Sequence, residues 1–220
     1  MRKFRISKKL PLPLQALLAA LPDTVTSSVF VCIWLWPFML GAGAVKGAML
    51  TMLVEFFLVH ATGFYTGFGA GFDKTGNYRW LALAGLTSFY ILMIGAFAWA
   101  FEAWWMLLAF SWLFVGKLFW ILKKPNDDQT MQAMAAWAGM VVVYLFACFF
   151  TLLADMPYFG IKPELVASFG FDPKSEGIWE SEPHRVVAFG ALYFGIFALV
   201  KLLGPFIADW WRNRKIVRSQ

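Results

Sequence analysis

Apolar residues in this chain come in long unbroken blocks separated by short polar or basic breaks, without the two-residue alternation of a half-buried strand. Crossing about 30 Å of hydrocarbon takes roughly 20 helical residues. Six stretches are long enough: 23–43, 46–68, 80–101, 104–122, 132–154 and 185–208. They predict an all-α membrane protein, one domain over residues 1–220 built as a bundle of six transmembrane helices. Ahead of the first span, residues 10–21 are apolar but interrupted at Pro11, Pro13 and Pro22. That segment is expected to lie in the interface as a short half-helix, with Pro22 and Asp23 opening the next helix. Only Glu102 and Ala103 separate the third and fourth spans, a break that requires an antiparallel pair if these are two spans and not one long kinked helix. The one long connection, residues 155–184, contains Pro163 and Gly170 spaced as the start and end of a short helix. Its Leu165, Val166 and Phe169 are expected to rest on the membrane.

Composition strengthens this picture. With 60% hydrophobic and 15% charged residues, too little polar surface exists to cover a water-soluble globule. The net charge of +6 does not indicate nucleic acid, because the basic residues flank apolar blocks and form no stripe. Anionic lipid headgroups are the better match, and the bilayer is the expected partner, together with other membrane subunits or a second copy. The basic start through Lys9 is followed by no clean small-residue cleavage site and reads as a retained leader.

Charge also predicts orientation. With the N-terminus inside, the cytoplasmic segments hold Arg2, Lys3, Arg5, Lys8, Lys9, Lys74, Arg79, Lys123, Lys124, Arg212, Arg214, Lys215 and Arg218. The outer side holds Lys46, Lys162, Lys174 and Arg185, while Lys117 and Lys201 sit near inner span ends and are expected to snorkel inward. Both termini are thus expected in the cytoplasm, in the manner of a bacterial inner-membrane protein. Trp80, Trp99, Trp104, Trp105, Trp120, Trp210 and Trp211 fall at span ends, the level an indole favours.

Candidate chemistry centres on the second span. Glu55 lies near its middle, where inserting an ionised acid costs on the order of 3 kcal/mol. On a helical projection Ala48, Thr51, Thr62 and Thr66 share its side, a small and polar stripe that should face protein or water. His60 falls on a second face with Phe56, Gly63 and Gly67, where a neighbouring backbone is expected to come close. The sector of Leu50, Val54, Phe57, Leu58, Ala61, Phe64 and Phe68 reads as the lipid side. Tyr90, Tyr144, Tyr193 and Lys201 are the expected partners of Glu55, with a protonated carboxyl bonded to tyrosine as the expected state.

Other motifs carry less. Cys32 and Cys148 lie inside apolar runs and fit neither a disulfide framework nor a zinc site. His60 and His184 differ too much in depth for a bis-histidine haem, and no cofactor is expected. Gly67, Gly69 and Gly71 follow a helix, where a phosphate cradle would follow a strand. Phe56 and His60 have the Phe-x-x-x-His spacing of the CAAX-type intramembrane proteases, but the Glu-Glu-x-x-x-Arg motif of that family is missing. Two functions stay open: a non-catalytic scaffold or accessory subunit, or a small channel or transporter with a proton or cation site at Glu55. A membrane enzyme ranks third, since no acid, base and substrate groups assemble from the sequence.

Overall fold

In a computed structural model the chain is described over residues 12–71, 78–123, 125–172, 174 and 176–218. Those residues form α1 (Leu12–Leu35), α2 (Ala44–Gly71), α3 (Tyr78–Ala100), α4 (Trp105–Leu122), α5 (Asp127–Leu153), a 3-10 helix (Pro163–Phe169), α6 (Ile178–Ser181) and α7 (Pro183–Arg218). No strand occurs among them. Six of the helices are long and apolar enough to cross a membrane. A bilayer core offers no water to broken backbone, so the chain satisfies its amides within helices and confines irregular structure to their ends.

The first span differs from expectation. It runs over Pro13–Leu35, not 23–43, because α1 continues through Pro22 without a break. The expected half-helix is therefore the N-terminal part of α1; its first two residues, including Pro11, lie outside the described residues. Pro22 has no N–H to give the Leu18 carbonyl, yet in hydrocarbon a helix break would orphan several more groups. Three hydroxyls bond back along this stretch: Thr24 donates to the Ala20 carbonyl, Thr26 to Pro22 and Ser28 to Thr24. Pro37 ends the helix instead, and Gly41 turns the chain with φ of 96°.

The chain divides into two compact units, residues 1–45 with 150–220, and residues 46–149. In the first, α1 and α7 pack along each other. Phe30 lies against bare Gly190, where an added Cβ would come within 2.0 Å of its ring. Ser27 donates to the Ala191 carbonyl at 2.9 Å, the small-residue contact expected between membrane helices. At the loop end, the Trp34 indole donates to the Pro157 carbonyl and the Gly160 amide to the Trp34 carbonyl. The 3-10 helix falls where Pro163 and Gly170 predict a helix, and Gly170 closes it at φ of 81°. Its apolar side, expected to rest on the membrane, is turned into the protein. Val166 and Phe169 are buried within the unit, Phe169 against Phe38, and Leu165 is half-buried.

In the second unit α2 is the central post: half of its apolar stretch is buried, against about a fifth for α3 and α4. Tyr65 of α2 shares a hydrogen bond of 2.7 Å with Thr87 of α3, and its ring packs on Phe114 of α4. Phe57 of α2 meets Phe97 of α3, and Tyr90 of α3 meets Phe110 of α4. The third and fourth spans are separate helices. Their turn is a Schellman closure, with the Ala103 amide reaching the Ala98 carbonyl and the Glu102 amide reaching Trp99. Glu102 occupies the left-handed position at φ of 54°, where glycine is usual.

Candidate functional site

Glu55 sits on α2 half-buried, with Thr51 and Thr62 on the same helix and Thr66 fully enclosed. Each threonine hydroxyl donates back to the carbonyl four residues earlier: Thr51 to Gly47 at 2.8 Å, Thr62 to Leu58 and Thr66 to Thr62 at 2.7 Å. Their protons are thus committed to their own helix, and their lone pairs alone face outward. The Thr66 oxygen uses one to accept from Lys117 of α4 at 3.3 Å. Lys117 thus bridges to the neighbouring helix, its ammonium 5.9 Å from the Trp120 ring.

Among the expected partners of Glu55, Tyr144 of α5 lies near enough to feel its charge. The Tyr144 hydroxyl donates to the Met52 carbonyl at 3.1 Å, one helical turn from Glu55, and it feels both the Glu55 carboxyl and the Cys148 thiol electrostatically. Tyr90 packs on Phe89 and Phe110 and interacts with Tyr65. Tyr193 belongs to the first unit, where its ring is buried among Phe189, Phe194 and Phe197. Lys201 is committed elsewhere: its ammonium lies 2.5 Å from Asp23 of α1.

His60 is half-buried and donates from Nδ1 to the Phe56 carbonyl at 2.7 Å, its ring tilted 44° to that of Phe56 with centroids 4.1 Å apart. The expected division of α2 into polar, close-packed and lipid sectors needs correcting. Leu50, Val54, Phe57 and Ala61 of the supposed lipid sector are buried against protein, and only Phe64 in it is exposed. Gly63 does receive a close neighbour, but a side chain rather than a backbone. The Trp137 indole of α5 lies where a Gly63 Cβ would be, 2.3 Å from that position, and donates to the Val59 carbonyl at 2.9 Å. Gly67 has nothing within 4 Å of its missing side chain.

Two features escape a sequence reading. Asp23 is a second acid inside a helix long and apolar enough to cross a membrane, about 15 Å along α1 from Pro13, yet Pro22 before it imitates a helix start. Trp137 lies inside a uniform apolar run, with no signal that its N–H bonds to another helix. No protein-family model, curated protein or solved structure matches this chain significantly.

Proposed function

We propose that this polytopic membrane protein works as a non-catalytic scaffold or accessory subunit of a membrane assembly. The observation that carries the reading is where the polar groups around Glu55 send their protons. The threonines donate to their own helix, and Tyr144 and Trp137 of α5 donate to backbone carbonyls of α2. Such bonds fix helix register at about 1 kcal/mol each; a hydroxyl relay along α2 would have to break them. Glu55 in this reading is a neutral docking group beside Tyr144.

The electrostatic influence of Glu55 on Tyr144 also favours a second reading, a proton or cation site in a translocation path. Flux separates the two. Wild-type protein and Glu55→Gln are reconstituted in vesicles containing a pH-sensitive dye, with Na+ and K+ gradients applied in turn. The scaffold reading expects no flux above empty vesicles in either case, and the same co-purifying partner or self-association for both proteins. Flux that vanishes in Glu55→Gln while assembly persists would establish transport instead. We place the protein in a bacterial inner membrane with both termini cytoplasmic, supported by the distribution of Lys and Arg.

A further inference from the structure

A cavity of about 200 Å³ lies wholly within the first unit, between the 3-10 helix, the segment before it and the first turn of α7. Tyr158, Ile161, Val166, Ser181, Glu182 and His184 line it. His184 is only 2% exposed, and its ring packs at 4.3 Å against that of Tyr158. Among the described residues neither of its nitrogens has a hydrogen-bond partner. An imidazole carries one donor and one acceptor, and native proteins seldom bury such groups unpaired. The cavity is the space from which a partner can come.

Its size and charge restrict what that partner is. A void of about 150 Å³ is enough for one benzene ring, so this one holds a single ring with a substituent. Ile161 and Val166 offer the ring apolar walls. The charged groups nearby are already engaged: Arg185 pairs with Glu182 and donates to the Thr151, Leu152 and Ala154 carbonyls at the end of α5. Asp155 adds negative charge beside His184, which opposes an anion. Ser181 has already given its proton to the Gly177 carbonyl. Tyr158, also in the lining, is 43% exposed and can turn its hydroxyl to solvent, so His184 is the buried polar group left to read the ligand.

We propose that the His184 cavity binds a small uncharged aromatic alcohol, its ring between Ile161 and Val166 and its hydroxyl bonded to the buried imidazole. The chain has two histidines, so His60 serves as an internal reference. The full-length protein, labelled with 15N-histidine in nanodiscs, is titrated with phenol, toluene, benzoate and Zn2+ in separate experiments. Phenol is expected to shift the His184 ring signals saturably and leave those of His60 in place. Toluene, lacking the hydroxyl, is expected to bind at least about tenfold more weakly. Val166→Trp, which fills the cavity, is expected to remove the phenol response. The proposal is overturned by an unshifted His184, by toluene or benzoate binding as well as phenol, by a phenol response that survives in Val166→Trp, or by Zn2+ alone engaging the ring. Should Val166→Trp fail to fold, the phenol and toluene titrations of the wild-type protein still decide.

Discussion

Trp137 illustrates how one residue can hold two membrane helices in register. Its indole fills the space left by Gly63 and hydrogen-bonds to Val59, so size and polarity are matched at a single point. Gly63→Ala puts a methyl where the indole already sits, and overpacking of this kind costs about 1–3 kcal/mol. Trp137→Phe keeps most of the packing but drops a hydrogen bond, at about 1 kcal/mol. If α5 docks in this way, the double variant Gly63→Ala with Trp137→Phe should lose less than the sum of the two singles. Unfolding in mixed micelles, followed by tryptophan-independent circular dichroism, measures all three. Gly63 could be singled out from its spacing, since a missing side chain on a membrane helix invites a neighbour. The nature of that neighbour could not, because nothing in the run around Trp137 distinguishes a docked indole from one facing lipid.

Among whole elements, the α3–α4 hairpin and the α1–α7 pair respond to different chemistry. The hairpin turns on Glu102 in a left-handed conformation that costs an ordinary L-residue about 1–2 kcal/mol. Glu102→Gly removes that strain but adds freedom to the unfolded chain, so a net gain near 0.5 kcal/mol is expected. Glu102→Val should move the midpoint of thermal unfolding in the opposite direction. In the α1–α7 pair, Asp23 and Lys201 hold opposite charges within apolar helices. Removing either partner leaves the other charge unbalanced, which is costlier than removing both. Asp23→Ala and Lys201→Ala should each destabilise the protein, and Asp23→Ala with Lys201→Ala should recover about 1–3 kcal/mol of the summed loss. Hydropathy alone made the existence of both elements legible, down to the short break at Glu102. The extent of α1 was hidden, because a proline followed by an acid marks a helix start in water. In hydrocarbon the backbone's need for internal hydrogen bonds outweighs that signal, and the acid finds a cation on α7.

For the molecule as a whole, charge outside the spans is what sets direction across the bilayer. Of the four basic residues assigned to the outer side, Lys46 lies within α2 and Arg185 within α7, where its guanidinium is held by Glu182 and three carbonyls. Only Lys162 and Lys174 remain in the connecting segment between α5 and α7. The segments proposed to be cytoplasmic hold both basic chain ends as well as Lys74, Arg79, Lys123 and Lys124. An asymmetry this large over short loops is the situation in which the positive-inside rule decides topology. Single cysteines at Ser7, Ser175 and Ser219, in a background with Cys32 and Cys148 replaced by alanine, test it with a membrane-impermeant maleimide on intact cells. Labelling is expected at position 175 alone, with positions 7 and 219 reacting only after the membrane is opened. Replacing Lys3, Arg5, Lys8 and Lys9 by glutamine while adding lysines beside position 175 should weaken that preference and produce a mixed population. If labelling of the wild-type arrangement reached one terminus from outside and not the other, an even number of crossings would be untenable, and one of the six apolar helices would have to lie within a single leaflet.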